Sequence, residues 1–346
     1  MRAMIIKEFR ELRRDRRTMA MLIALPIILL IIFGYAANFN VSTLETAVVG
    51  PNAQAVADRL PELFEVTDID PSGTADTAQT LLQDAEDVVA IDTGSAPPTA
   101  YVDGSSLFAA QTAVAAFNQL GDAVTVDILY NPDLTTAWVL VPPLTGLILM
   151  FIGTVVTAIG LVRERENGTI EQLAVMPIRP STVIVGKIAP YFVIAAVDMA
   201  VVTILGILLF GVPFNGSIAL FIVGAGSFLF VVLGIGVLIS TASQNAGQAI
   251  QMAIFFLLPQ VLLSGMIFPL DAMPWGVRWI SYVLPLTYYT KISIGIMLRS
   301  AGFMALWMPF AILAVMAVVA FLGSILRFRR ELAPGGRRHT EIEERA

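Results

Sequence analysis

The segment AWVLVPPLTGLILMFIGTVVTAIGLV, residues 137–162, contains no charged side chain. A helix of about 20 apolar residues spans the hydrocarbon core of a bilayer, so this segment is long enough to cross a membrane. A second apolar segment, 188–210, follows it and carries one charge, Asp198. The whole chain has the same character, since 57% of it is hydrophobic and 14% is charged, whereas soluble domains carry roughly 25% charged residues. The sequence therefore predicts a polytopic membrane protein.

Six segments have the composition of a membrane span, and the charges between them predict their orientation. The six are residues 19–37, 137–162, 188–211, 218–240, 249–270 and 305–326. Residues 1–18 hold seven bases and three acids, the tail 327–346 holds six Arg and four Glu, and 38–136 holds fifteen acids and one base. Lys and Arg are retained on the cytoplasmic side. We therefore expect a plasma-membrane protein with both termini in the cytoplasm and residues 38–136 outside.

The basic residues 1–18 precede the first span with a helical pattern. Ile5, Ile6, Phe9 and Leu12 alternate with bases, which predicts an amphipathic helix on the inner membrane surface. Such a helix either only anchors the topology or also frames the docking site of a cytoplasmic partner. The first span could instead be a cleaved signal peptide, but its apolar core of 19–37 exceeds the usual 7–15 residues of a signal.

Residues 38–136 read as an inserted α/β extracytoplasmic domain. Strand-like segments, ETAVVG (45–50), FEVTDID (64–70), DVVAIDTG (87–94) and TAYVD (99–103), alternate with helix-like segments at 53–64, 74–87 and 106–120. Such alternation is typical of α/β domains. The excess of acids indicates a solvated surface rather than a cation site, because no calcium-loop spacing is present. The predicted fold class is thus an all-α polytopic membrane domain with six transmembrane helices plus this inserted domain.

A charged segment, residues 163–187, separates the second and third spans and contains a helix start. Thr169 and Gln172 form the T-x-x-Q capping box, and Glu171 suits the positive end of a helix. Leu173 lies three residues after Ile170, so both lie on one face of the helix. Pro177 ends the pattern, which predicts a helix near 170–175. So short a helix needs a packing partner, which is either the underside of the membrane or a soluble protein.

Two stretches resemble the ABC-2 type permeases, the membrane subunits of ATP-binding-cassette exporters. The first is LVRERENGTIEQLAVMPIRPSTVIVGKIAPY, residues 161–191, and the second is LLPQVLLSGMIFPLDAMPWGVRWISYVLPLTYYTKISIGIMLRS, residues 257–300. The first carries the family's E-x-E, G-T-x-E-Q-L, Pro and G-K pattern, and the second carries LSG-x-IFP, Met-Pro and PLTYY. The resemblance covers about 15–330, including the insertion after the first span.

The resemblance implies a function and partners. The segment 163–187 would be a coupling helix that docks on a separate ABC ATPase, and its contact residues would be Glu164, Glu166, Gly168, Thr169, Ile170, Glu171, Gln172 and Leu173. ATP and Mg would belong to that ATPase. A second permease copy or a paralogue would complete a homo- or heterodimer, and the cargo would be drugs, lipids or other amphiphiles. The chain would also contact membrane lipid, and it would not bind nucleic acid.

The chain shows no enzyme site of its own. It lacks the G-x-x-x-x-G-K-[ST] pattern that cradles phosphates, so ATP hydrolysis is not expected here. It has no Cys and one histidine, His339, which makes a zinc site improbable. We therefore predict no catalytic and no metal-binding residue.

Polar residues within the spans are candidates for the pathway. Asp198 lies mid-span, where a charge costs roughly 2.5–3.5 kcal/mol unless it is neutral, paired or hydrated. Its side chain either packs and hydrogen-bonds against neighbouring helices or lines a cavity. Pro259 and Gln260 are expected to interrupt the fifth span.

The stretch 271–300 is too broken for a simple span and predicts external re-entrant helices. Its Arg278, Lys291 and Arg299 are expected near water. The resemblance implies an outer gate here, and the candidate gate residues are Pro269, Pro285, Tyr288 and Tyr289.

Two other functions remain open at this point. An ion-coupled secondary transporter would depend on an ion gradient and have no ATPase partner, although such transporters usually show repeated broken helices. A membrane scaffold or sensor would use the external domain as a receptor and move no cargo.

Overall fold

The computed structural model describes residues 43–166 and 180–332. Residues 44–129 form an α/β domain, and the chain from residue 136 onward is helical. The predicted amphipathic helix 1–18, the first span 19–37, residues 167–179 and the chain end 333–346 lie outside the described residues.

The α/β domain is built on a five-stranded sheet in the order β2-β1-β3-β4-β5. The strands are β1 (Leu44–Val49), β2 (Phe64–Asp70), β3 (Val89–Asp92), β4 (Thr99–Asp103) and β5 (Thr125–Leu129). All neighbours are parallel except β3 and β4. The helices are α1 (Ala53–Ala57), α2 (Ala75–Asp84) and α3 (Leu107–Gln119).

The strand β1, which lies between β2 and β3, is buried on both faces of the sheet. Leu44 and Val48 join one apolar cluster with Phe117 of α3, whereas Ala47 and Val49 join another with α2. Since successive side chains of a strand point to opposite faces, helices must cover both sides of this strand. The domain is therefore a three-layer sandwich with the sheet in the middle.

The four predicted strands are confirmed, and two details of the prediction are wrong. The helix predicted over 53–64 ends at Ala57. Pro61 lacks a backbone donor and disfavours helical geometry in the residue before it, which explains the early end. The strand β5 was not predicted, because its sequence TVDIL is short and only its pairing with β4 makes it a strand.

Seven helices follow in the described chain. They are α4 (Thr136–Glu166), α5 (Pro180–Phe210), α6 (Ile218–Ala242), α7 (Ala246–Leu263), α8 (Trp275–Ser281), α9 (Pro285–Met297) and α10 (Phe303–Leu332). In this part of the chain, α4, α5, α6, α7 and α10 are long and apolar enough to cross a bilayer. The helical character of the last five predicted spans is thus confirmed.

The helix α6 lies at the centre of the bundle and packs against α4, α9 and α10. Glycines allow the close contacts: a Cβ on Gly153 of α4 would lie 2.7 Å from Val232, and one on Gly234 would lie 2.8 Å from Ala320 of α10. Ser324 of α10 donates a hydrogen bond to the Gly234 carbonyl at 3.0 Å. Small residues at helix crossings are a common means of association in membranes.

The expected interruption of the fifth span at Pro259 and Gln260 is wrong. The helix α7 continues through Pro259 to Leu263. A proline removes one hydrogen bond, but neighbouring helices can compensate for that loss in a bundle. The chain turns later, at Gly265, which has φ +83°.

The expectation that Arg299 lies near water is also wrong. Its side chain is 9% exposed and contacts Asp103 of the α/β domain, which is 1% exposed. A carboxylate from a distant part of the chain makes this burial tolerable, since buried charges are normally paired. Arg278, in contrast, is half-buried and pairs with Asp271.

Candidate transport pathway and gate

The two short helices α8 and α9 are joined by residues 282–284 within the predicted gate region, and this helix–turn–helix segment is called the hairpin below. A 3₁₀ turn, Leu270–Ala272, follows Pro269 and leads into α8. Pro285 is the first residue of α9, where its missing N–H leaves no helical bond unmade. Eleven of the thirteen residues of α9 are buried, and the helix packs against α4, α6, α7 and α10. This short helix therefore lies in the packed interior of the bundle.

Tyr289 anchors the hairpin to the bundle. Its side chain is fully buried, and its ring stacks on Phe228 of α6 with centroids 4.5 Å apart and an interplanar angle of 25°. The hydroxyl groups of Tyr289 and Thr145 lie 2.9 Å apart. The ring also lies over Gly146, because a Cβ there would approach the ring to 2.3 Å. The position thus satisfies both the polar and the apolar part of the tyrosine.

Tyr288 stabilises the hairpin itself. Its hydroxyl donates a hydrogen bond to the carbonyl of Tyr282 at 2.6 Å, and Thr287 donates to the carbonyl of Ser281 at 2.8 Å. Both bonds connect α9 to the end of α8. The two helices are therefore linked to each other directly, in addition to their contacts with the bundle.

Gln260 connects α7 to the start of α9. Its side-chain oxygen accepts a hydrogen bond from the backbone N–H of Leu286 at 3.2 Å. That N–H lies in the first turn of α9, where backbone donors lack helical partners. The Nε2 of Gln260 and the hydroxyls of Ser264 and Thr290 are buried and have no hydrogen-bond partner among the described residues. A polar patch therefore lies at the α7–α9 contact.

Asp198 lies in the interior of α5 and is half-buried. Its neighbours Ile194, Val197 and Val201 are exposed. The helix α5 is less buried than α4 or α6, so its apolar surface would face lipid or another chain. A role of Asp198 in the pathway stays a prediction.

A family profile described as "ABC-2 family transporter protein" matches residues 16–326, which is most of the 346 residues. The chain belongs to the ABC-2 transporter family. This confirms the family that the motifs at 161–191 and 257–300 indicated.

Bacterial relatives of this ABC-2 protein are named as permeases. "Probable multidrug ABC transporter permease YbhR" of Escherichia coli K12 is 28% identical over 360 residues, which cover 95% of this chain and 98% of the relative. "Probable multidrug ABC transporter permease YbhS" of the same strain is 27% identical over 326 residues, with 84% and 86% covered. "Inner membrane transport permease YhhJ" is 33% identical over 211 residues, with 59% and 54% covered.

The family fixes the general role of the chain. It is a multi-pass membrane protein and a permease subunit of an ABC-2 type transporter. A permease subunit is not an enzyme, and the ATPase activity lies in a separate subunit. ABC-2 permeases work with ATPase partners, usually as dimers.

The ABC-2 permease's predicted coupling residues are only partly described. Glu164 and Glu166 lie at the end of α4, where Glu164 is half-buried and Glu166 is exposed. Gly168, Thr169, Ile170, Glu171, Gln172 and Leu173 lie outside the described residues. Their role stays a prediction.

Sequence reasoning missed several residues that position α9 in the bundle. Thr145, Gly146 and Phe228 lie in apolar segments, where nothing distinguishes them from other span residues. The pair of Asp103 and Arg299 joins residues 196 positions apart, and no local pattern reveals such a pair.

Proposed function

We propose that this permease forms an export pathway for amphiphilic compounds, driven by ATP hydrolysis on a separate ABC ATPase. The names of the relatives YbhR and YbhS, which describe probable multidrug permeases, support this substrate class. The mostly apolar helices of the chain agree with hydrophobic cargo. ATP and Mg would bind to the partner ATPase.

The observation that carries the coupling part of this proposal is the length of α4 and α5. Each has 31 residues, and at a rise of 1.5 Å per residue each is about 46 Å long. The hydrocarbon core is about 30 Å thick. Each helix therefore extends well beyond the membrane. The end of α4 carries the charged residues 163–166 and the first turns of α5 carry Lys187, and the segment between the two helices would meet a soluble partner.

The same proposal includes six spans and their orientation. The charge of 1–18 and of 163–187 favours the cytoplasm for both, and the acidic α/β domain would then lie outside. The permease would reside in the plasma membrane with both termini inside. Two permease copies, or this chain and a paralogue, would enclose the pathway together with two ATPase chains.

The hairpin of α8 and α9 would close the outer end of the pathway. Pro269 and Pro285 set its bends, Tyr288 holds its two helices together, and Tyr289 fixes it to α4 and α6. The polar patch around Gln260 and the half-buried Asp198 would be the polar contacts for cargo along the way.

The experiment that tests this function substitutes Leu173→Asp. We expect the charge to disrupt an apolar docking contact, because an unpaired buried charge costs about 1–3 kcal/mol or more. The purified permease should lose co-purifying ATPase and permease-stimulated ATP hydrolysis. Leu120→Asp is the matched control, because Leu120 is an exposed leucine at the end of α3 in the α/β domain.

Wild-type assembly and wild-type transport in Leu173→Asp would overturn the docking assignment. Flux that follows an ion gradient without any ATPase would favour a secondary transporter instead. An active complex with one permease copy and no second permease would contradict the proposed dimer.

A further inference from the structure

A buried ion pair connects the α/β domain to the end of the gate hairpin. Arg299 lies two residues after the end of α9, and its Nη1 lies 3.5 Å from Oδ2 of Asp103 at the end of β4. Both side chains are at least nine-tenths buried. The α/β domain therefore holds the chain at the point where α9 ends.

Neutral hydrogen bonds surround this pair. Gln83 of α2 donates to the carbonyl of Ser300 at 3.2 Å. Ser300 donates to the carbonyl of Asn215 at 3.0 Å, and Asn215 donates to the carbonyl of Leu298 at 3.0 Å. Ser300 adopts φ +56°, a conformation that few residues other than glycine adopt without strain. Side-chain contacts thus constrain residues 298–300 to an unusual path.

Tyr130 completes the junction from the other side. It packs against the apolar core of the bundle and against the core of the α/β domain. Burial and the nearby charge of Asp103 raise the pKa of Tyr130 to about 12, so its hydroxyl stays protonated and donates to the carbonyl of Gln79 at 3.3 Å. A cleft of about 460 Å³ opens beside these residues and leaves room for relative movement.

The two partners of the ion pair differ in how firmly their own surroundings hold them. Asp103 accepts a hydrogen bond from the backbone N–H of Ser105 at 2.9 Å, so its carboxylate is fixed within the α/β domain. Arg299 contacts the carboxylate at 3.5 Å, and its buried Nε has no partner among the described residues. A guanidinium can make two parallel bonds to a carboxylate. A small shift of the end of α9 would therefore tighten this contact or separate it.

We propose that Asp103 and Arg299 are positioning residues for the outer gate, through which the α/β domain holds α9 in its closed place. The proposal rests on the proposed function only in taking α8 and α9 as the gate. Ten residues separate Tyr289 from Arg299, and α9 is continuous over most of that distance. A helix transmits movement along its axis, so release at Arg299 displaces Tyr289 from Gly146.

The test uses a single cysteine in this cysteine-free chain. Ser281→Cys places a thiol at the end of α8, where Ser281 is fully buried. The purified permease–ATPase complex in nanodiscs is treated with a membrane-impermeant maleimide, without nucleotide and without cargo. Slow labelling reports a closed hairpin, and fast labelling reports its separation from the bundle.

We expect Asp103→Asn and Arg299→Gln each to raise the labelling rate by about tenfold, since each removes one partner of a buried pair. The asparagine retains an acceptor for the N–H of Ser105, so the loop should keep its shape. Asp127→Asn, an exposed change on β5, is the matched control and should leave the rate unchanged. Unchanged labelling in both single variants would overturn the proposal.

A double variant separates positioning from loss of folding. Asp103→Asn with Arg299→Met contains no buried unpaired charge, so its fold should be intact. Labelling should nevertheless remain fast, because the attraction is missing. A return to the wild-type rate would show that the single variants acted by leaving a charge unpaired, and would also overturn the proposal. The readout needs no ATP, so it fails or succeeds independently of ATP-driven export.

Discussion

At the scale of single residues, Tyr289 shows how the bundle positions α9. Its ring fills the space that Gly146 leaves on α4, and its hydroxyl meets Thr145 one position earlier. The absence of one side chain and the presence of one hydroxyl on α4 therefore contribute to the position of α9. A larger residue at position 146 would compete directly with the ring.

We predict that Gly146→Ala destabilises the permease. The new Cβ would lie 2.3 Å from the Tyr289 ring, so the ring must move, and overpacking of this kind costs about 1–3 kcal/mol. The thermal unfolding of the purified protein in detergent measures the effect. Gly226→Ala is the control, since a Cβ on Gly226 of α6 meets nothing within 4 Å. Equal unfolding temperatures for the two variants would contradict the close packing.

A second prediction concerns pH and Asp87. Burial raises the pKa of this carboxyl above its usual 3.8, with a smaller contribution from the charge of Asp68, and the hydrogen bond from Thr67 opposes the shift without cancelling it. An acid with a raised folded-state pKa contributes stability at low pH that is lost as the pH rises through that pKa. Asp87→Asn should therefore gain stability relative to the wild type at neutral pH and less so near pH 4.

The comparison variant is Asp70→Asn, because the pKa of Asp70 is shifted in the opposite direction. Hydrogen bonds from the side chain and backbone of Ser72 lower the pKa of Asp70 below 3.8. Its contribution is present above that value and is lost as the pH falls. Asp70→Asn should therefore lose stability at neutral pH and little in acid. Melting curves of the full chain across this pH range test both, and parallel shifts in the two variants would refute the assignment.

At the scale of elements, the start of α7 is determined by a local cap. The side chain of Asn245 accepts from the N–H of Gln248 at 2.9 Å, and the side chain of Gln248 accepts from the N–H of Gln244 at 2.9 Å. The first bond satisfies a backbone donor that a helix start leaves open, and the second holds the residue before the cap against the first turn. The helix can thus begin sharply after α6 ends.

We predict that Asn245→Ala weakens the first turn of α7 by about 1 kcal/mol, the usual effect of losing a cap. Hydrogen exchange of the amides of residues 246–250 should accelerate about fivefold, which corresponds to that free energy. Ser217→Ala at the start of α6 is the matched control, because its cap bond to Leu220 is longer at 3.4 Å, and a smaller effect is expected. Unchanged exchange in Asn245→Ala would show that packing alone holds α7.

Proline illustrates where element prediction from sequence is limited. Pro61 ends α1 as its chemistry predicts, whereas Pro259 lies inside α7 without ending it. The residues are chemically the same. The difference is that α7 packs against α4, α6 and α9, and these contacts outweigh one missing hydrogen bond, while α1 is a five-residue helix with little to gain from continuing.

At the scale of the whole molecule, the distribution of charge predicts the orientation in the membrane. The segment charges predict that residues 38–136 lie outside and that 163–187 lies in the cytoplasm. A cysteine at Ser72→Cys should therefore react with an impermeant reagent in intact cells, and one at Ser181→Cys should not. After permeabilisation both should react, which serves as the control. The reverse pattern in intact cells would overturn the proposed topology.

The sequence by itself determined the membrane class, the family, the last five helical spans and four strands of the α/β domain. Each of these follows from amino-acid composition, from a sequence motif or from the periodicity of hydrophobic residues along the chain. These properties can be read without knowing which segments are in contact. It also identified Tyr288, Tyr289 and Gln260 as residues of interest, although not what they contact.

Only the tertiary structure decided how these pieces are held together. The stacking of Tyr289 on Phe228, the passage of α7 through Pro259 and the burial of Arg299 against Asp103 all join residues that are distant in sequence or depend on neighbouring helices. In an apolar span nearly every side chain has the same character, so hydrophobic periodicity does not reveal which face meets which. Shape and buried polar pairs distinguish those faces, and they exist only once the helices are packed.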